Sequence, residues 1–161
     1  MSGQDQVAAA LALRSLQDAY ASALDRRDPA ALRAVFSRDA VLSVFEPDAV
    51  EPSSEIRGHE QLVLMIDAMG QRYAKTLHVI TNSSSSIERD AATSQAYCVA
   101  HHLILDDGEP RKVAAFLRYG DEFRREPGDA WRISRRDIHF LWVEESPVLP
   151  WQTALTRGRF G

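Results

Sequence analysis

Thr93-Ser94-Gln95-Ala96-Tyr97-Cys98-Val99-Ala100-His101-His102-Leu103-Ile104-Leu105, then Asp106-Asp107-Gly108-Glu109-Pro110, is the stretch that decides the fold. A long β-rich run ends in a cluster that can only turn. The pattern then repeats: Lys112 to Arg125 returns, Glu126-Pro127-Gly128-Asp129 turns, and Trp131 to Val143 runs back. Long strands joined by tight turns make an antiparallel meander. Upstream, Thr76 to Asn82 is β-branched and apolar and reads as one more strand. Ser83 to Ser86, four serines in a row, reads as a turn or bulge. Val41-Leu42-Ser43-Val44-Phe45 is a short strand, and Glu46 to Arg57, with two prolines, is a loop.

The N-terminal third has the other periodicity. From Asp5 to about Arg27 there is no Gly or Pro, and Leu13, Leu16, Tyr20 and Leu24 recur at the spacing of one helix face. Asp28-Pro29 starts a second helix, because Asp caps well and Pro is tolerated at the first helical position. Gly58 to Tyr73 is a third, with Leu62, Met65, Ile66, Met69 and Tyr73 on one face. Helices followed by a meander give an α+β domain, with the helices covering one face of the sheet. Residues 1–145 read as one domain and 146–161, with Pro147 and Pro150, as a tail.

The bulk composition excludes several classes. The chain has 161 residues, enough for one core without disulfides or a structural metal. A net charge of −4 without a dense basic stripe argues against nucleic acid and anionic membrane as partners. No apolar run is long enough to span a bilayer, and Met1-Ser2-Gly3-Gln4-Asp5 lacks the layout of a signal peptide. Cys98 is the single cysteine, so a reducing, cytoplasmic location is expected. No phosphate-binding glycine loop, dinucleotide fingerprint or nucleophile elbow is present. His59, His78, His101, His102 and His139 show no zinc spacing, so no metal and no cofactor are expected.

Residue chemistry singles out few groups. His78 shares a strand face with Thr76 and Ile80. A histidine and a carboxylate in an apolar pocket can act as a general-base dyad, but a half-buried strand histidine bonded to a carbonyl is the plainer reading. Asp25 points about 140° away from Tyr20 on the helical wheel, so periodicity alone leaves it a solvated aspartate in a last helical turn. His101 and His102 must face opposite ways; if Tyr97 faces out, His102 faces in with Cys98 and Ala100. Tyr119 and Asp121 share one face of their strand. Arg135 or Arg136 meets either an anionic or carbonyl group or the acidic residues of the next strand.

In order, Tyr20-Ala21-Ser22-Ala23-Leu24-Asp25-Arg26-Arg27-Asp28 followed by the helix ending in Leu32 to Phe36 and by Asp39-Ala40-Val41, Gly58-His59-Glu60, Thr76-Leu77-His78-Val79-Ile80-Thr81-Asn82, Ala96-Tyr97 through His102, Arg118-Tyr119-Gly120-Asp121-Glu122-Phe123, Trp131-Arg132-Ile133 and Trp142 resemble the SnoaL-like branch of the nuclear-transport-factor-2-like (NTF2-like) superfamily. The resemblance spans roughly Asp5 to Val143 and extends to scytalone dehydratase, bile-acid 7α-dehydratase and hexachlorocyclohexane dehydrochlorinase. It implies an NTF2-like cone: a curved, mostly antiparallel sheet wrapped around N-terminal helices, with one pocket. It implies an Asp25–His78 dyad, with Tyr20 as a pocket tyrosine and His102, or as the alternative His101, as a second histidine. Leu24 stands where scytalone dehydratase has a tyrosine, and Tyr119 near its pocket asparagine, so the substrate should differ.

The expected function is a cofactor-free lyase, dehydratase-like, or an isomerase. The substrate is expected to be small, hydrophobic and cyclic or aromatic, lined by Tyr119, Phe45, Met65, Met69 and Trp142. A homo-oligomer, dimer or trimer, is expected. The alternatives are a non-catalytic binder of a hydrophobic ligand and an assembly module like the small subunit of ring-hydroxylating dioxygenases.

Overall fold

The computed structural model describes residues 3–105 and 110–149. The Asp106–Glu109 part of the expected hairpin turn and the tail from residue 150 lie outside the described residues. Three helices, α1 (Gly3–Arg26), α2 (Pro29–Val35) and α3 (Gly58–Arg72), accompany six strands: β1 (Phe36–Phe45), β2 (Ser54–Arg57), β3 (Lys75–Glu88), β4 (Ala91–Ile104), β5 (Arg111–Glu126) and β6 (Ala130–Pro147). One sheet has the order β2-β1-β6-β5-β4-β3. Among the described residues only β1–β6 is parallel; every other pair is antiparallel. This is the expected α+β, NTF2-like cone. No helix among the described residues is long and apolar enough to cross a membrane.

Local chemistry explains the junctions. α1 stops where Arg27 takes φ 54°, and the amides of Arg27 and Asp28 bond back to the carbonyls of Leu24 and Ala23. That is a Schellman ending on a non-glycine residue. The Asp28 carboxylate accepts the Ala31 amide at 2.9 Å and Pro29 opens α2, a cap contributing about 1 kcal/mol. The apolar stripe Leu13, Tyr20 and Leu24 of α1 packs with Leu32, Phe36, Leu62, Ile66, Leu117 and Ile133 in one core.

Four boundaries differ from the sequence reading. Of turn and bulge, the serine run follows the bulge: the register shifts between Ile80 and Ser83 and β3 continues through the serines to Glu88. β1 begins at Phe36 rather than Val41, and β2 lies inside the expected loop. β6 runs to Pro147, two residues into the expected tail.

Bulges decide which side chains face the helices. Register pairs His78, Ala100 and Ala115, and likewise Ser83, Ala96, Tyr119 and Ile138, on the inner face. On β6, Leu141 is an extra residue, because Phe116 pairs Trp142 while Leu117 pairs Phe140. Plain alternation from Phe140 would put Trp142 inside; the bulge turns it out.

Candidate functional site

The helical wheel placed Asp25 correctly, but α1 has two covered faces rather than one. Eleven residues separate Arg14 from Asp25, and at about 100° per residue they return to within roughly 20° of one another. This second line lies along β3, the sheet's edge strand. The Arg14 guanidinium donates to the carbonyls of Thr81 at 2.9 Å and Ile80 at 3.2 Å, beside the bulge. Gln17 Oε1 accepts from Ser83 at 2.9 Å. Asp25 closes the row: Oδ2 accepts the backbone N–H of His78 at 2.9 Å, and Oδ1 accepts Thr76 Oγ1–H at 2.9 Å.

The same Oδ1 lies 2.7 Å from His78 Nδ1, with the imidazole only 4% exposed and the carboxylate 20%. An ionised carboxylate has only acceptors, so Nδ1 carries the proton and, in the neutral ring, Nε2 holds the lone pair. Burial works to raise the Asp25 pKa, but the side-chain and backbone hydrogen bonds from His78, its charge and the Thr76 hydroxyl outweigh it and the net shift is down. The pair therefore has what a general base requires: a fixed tautomer and an anion ready to stabilise imidazolium.

His102 faces inward, opposite Thr76 across β4. Its ring lies edge-on to His78, centroids 5.8 Å apart, and tilts against Tyr73 at 4.3 Å. Burial, with neighbouring His78 acting in the same direction, pushes its pKa from 6.5 down to about 4. Near pH 7 His102 is thus a neutral hydrogen-bond donor and acceptor, not a stored acid. The unfolded chain binds more protons than the folded one between those two values, so this group destabilises the fold as pH falls through that window. We expect thermal midpoints to drop from pH 6.5 toward pH 4. His101 and His139, shifted the same way, contribute to the slope. His102→Phe should therefore flatten the slope without abolishing it; an unchanged slope would refute the assignment.

Tyr20 and Tyr119 sit deeper, edge-to-face with centroids 5.9 Å apart. Between them lies the Arg136 guanidinium, 4.2 Å from the Tyr20 ring centroid and 4.5 Å from that of Tyr119. Arg136 bonds Asp121 in bidentate fashion, Nε to Oδ1 at 2.6 Å and Nη2 to Oδ2 at 2.8 Å, both side chains fully buried. Gln17 and Ser94 also donate to Oδ2, at 3.3 and 3.4 Å. Arg136 Nη1 has no hydrogen-bond partner among the described residues. Burial pushes both phenols up, Tyr20 to about 12, and Arg136 only partly offsets it. Both are therefore neutral donors. Cys98, whose thiol is likewise raised by burial, lies between this layer and the dyad, interacting with Tyr119, Arg136 and Asp25.

The residues expected to line a pocket divide between the two faces of the sheet. Tyr119 is buried in the core on the inner face, and Met65 and Met69 of α3 pack partly buried against it. Phe45 and Trp142 face outward, which corrects that expectation. Leu42 and Val44 take the inner positions of β1, so Phe45 turns out and stacks on His139 at 4.4 Å. Trp142 stacks on Phe116 at 4.4 Å on the outer face. His59 is satisfied by the Phe36 carbonyl at 3.0 Å. Cavities of about 350 to 470 Å³ open on the outer face and at the sheet ends, and neither Asp25 nor His78 lines these. No group of three or more potential metal ligands is gathered among the described residues.

Thr76 and Arg27 were not singled out from sequence, although alternation already put Thr76 on the His78 face. The Asp121–Arg136 pair was legible only as one of two options.

A family model described as a SnoaL-like domain matches residues 5–137. A candidate scytalone dehydratase from Novosphingobium aromaticivorans superposes with a TM-score of 0.77 at 17% identity, over 92% of this chain and 94% of that one. A hexachlorocyclohexane dehydrochlorinase (LinA type 3) from Novosphingobium barchaimii gives 0.76 at 17% identity, over 92% and 99%. A candidate aromatic ring hydroxylase from Novosphingobium aromaticivorans gives 0.70 at 28% identity, over 86% and 92%. No curated protein matches at a significant level.

Proposed function

The chain belongs to the SnoaL-like domain family, and from that premise we propose that it is a cofactor-free lyase, dehydratase-like, or an isomerase, acting on a small hydrophobic cyclic or aromatic molecule. The observation that carries this reading is the 2.7 Å contact between Asp25 Oδ1 and buried His78 Nδ1. His78 Nε2 takes a proton from carbon next to a carbonyl or a leaving group. Asp25 holds the ring and stabilises the imidazolium that forms. His102, neutral and edge-on to His78, hydrogen-bonds the departing hydroxyl or the developing oxyanion; in a dehydration the proton taken up by His78 passes to that hydroxyl, which leaves as water, and in an isomerisation it returns to a second carbon of the substrate. With the phenols of Tyr20 and Tyr119 locked around Arg136, their part is to present neutral donors to that charge. Solved structures of a dehydrochlorinase and a candidate dehydratase on the same fold support elimination chemistry without defining it.

The test is a thermal-shift screen with cyclic alcohols, ketones and polyketide-like aromatics, followed by product analysis of every stabilising compound. Stabilisers that are turned over, with turnover lost in His78→Ala, support the reading. Stabilisers that survive unchanged leave a binder of hydrophobic ligands.

A second reading rests on a different observation. The outer sheet face exposes Leu77 (57%), Val79 (41%), Tyr97 (45%) and Trp142 (50%), and Val79, Val99, Phe116 and Trp142 form one cross-strand row. Such a patch marks an interface. It suits a homo-oligomer, dimer or trimer, and equally a small-subunit-like assembly module of a ring-hydroxylating dioxygenase; the 28% identical structure is a candidate aromatic ring hydroxylase. Light scattering at micromolar concentration should give a multiple of the chain mass, and Tyr97→Asp with Trp142→Glu should give a monomer. A wild-type monomer would remove the homo-oligomer and leave a missing partner chain.

A further inference from the structure

Arg27 is the residue whose placement the dyad alone does not explain. It occupies the left-handed region at φ 54° without being glycine, a conformation that is uncommon for other side chains. Its side chain runs past Gly70 of α3, where a Cβ would stand 3.7 Å from Nε and 3.8 Å from Cδ. From there Nη1 donates to the Leu24 carbonyl at 2.7 Å and to Thr76 Oγ1 at 2.9 Å. Thr76 in turn donates to Asp25 Oδ1 at 2.9 Å.

The direction of this chain is fixed by inventory. A guanidinium has donors only, so it must use a lone pair of the Thr76 oxygen. The one hydroxyl proton is then left for the carboxylate. Without Arg27 the hydroxyl is a free rotor, able to point elsewhere. We propose that Arg27 and Thr76 are positioning residues of the dyad: the guanidinium polarises and orients the threonine hydroxyl, which with His78 Nδ1–H and the His78 amide completes three donors on Asp25. A carboxylate with those sites filled cannot rotate away from the imidazole. The inference rests on the proposed role of Asp25 and His78, and it adds that their alignment is set from outside the pair.

The groups facing Asp25 are Thr76 and His78 from β3, Arg27 from its own helix end, and His102 and Cys98 from β4. The test reads Asp25 directly, by carboxyl carbon NMR titration, together with the solvent exchange rate of the His78 Nδ1 proton. In Thr76→Val the Asp25 midpoint should move up toward the ordinary carboxylate value. The Nδ1 proton should exchange about tenfold faster, the scale of one hydrogen bond to a charged group. Thr76→Ser should restore both. Arg27→Leu should shift both in the same direction by less, and Arg27→Lys should restore part. Valine and leucine variants with wild-type midpoint and exchange overturn the inference while leaving the dyad standing. A wild-type His78 without a protected Nδ1 proton overturns the dyad itself, and this inference with it.

Discussion

His78→Ala should lower turnover of a substrate found in the screen by about 10²–10⁴-fold, the contribution of a positioned general base, with the fold unchanged. The separation of the two effects follows from the hydrogen bonds. Asp25 loses one donor but keeps the residue 78 backbone amide and Thr76, so its charge stays satisfied. Asp25→Asn should behave differently. Its amide nitrogen must face either the His78 amide or the Thr76 and His78 side-chain donors, setting donor against donor at a half-buried site. Turnover should fall strongly because the tautomer is no longer fixed, and stability should fall too, by about 1–3 kcal/mol. Steady-state rates paired with denaturation midpoints distinguish the two. An active His78→Ala variant would end this mechanism.

Asp121→Ala should be the most damaging substitution for stability, costing about 3–5 kcal/mol. Asp121 and Arg136 are fully buried, and burial works to lower the arginine pKa while the Asp121 charge and hydrogen bonds raise it more. Removing the carboxylate leaves a guanidinium with no counter-charge between two aromatic rings, and leaves Gln17 and Ser94 without their common acceptor. Replacing both partners, Asp121→Leu with Arg136→Met, should recover much of the loss, because a buried pair costs desolvation that an apolar pair does not. The comparison is of urea midpoints at constant slope. A cost below about 1 kcal/mol for Asp121→Ala would mean that the guanidinium finds water or another anion.

How far such features are legible in sequence depends on whether the signal is periodic or depends on register. His102 could be assigned to the inner face from Tyr97 alone, because a strand alternates and no bulge falls between them. Trp142 could not, because one inserted residue, Leu141, reverses every side chain beyond it. The serine run was open between a turn and a bulge for a sound reason: serine has little intrinsic preference for strands. It is a strand because β4 pairs with it and Gln17 bonds Ser83, tertiary contacts that override propensity. Asp121 and Arg136 lie fifteen residues apart on different strands, and only the register of β5 with β6 makes them partners. Asp25 was the instructive case. The wheel gave the right angle, but a single wheel assumes one covered face, and α1 also runs along an edge strand.

That edge gives Asp25 an occupation independent of any reaction. An edge strand presents open amides and carbonyls to other chains, and here Arg14 covers two carbonyls while Asp25 covers the His78 amide. A descendant that no longer needed the chemistry could discard the imidazole at little cost, yet dropping the carboxylate would uncover the strand. Losing the imidazole leaves the margin covered, whereas losing the carboxylate opens the His78 amide to any passing strand.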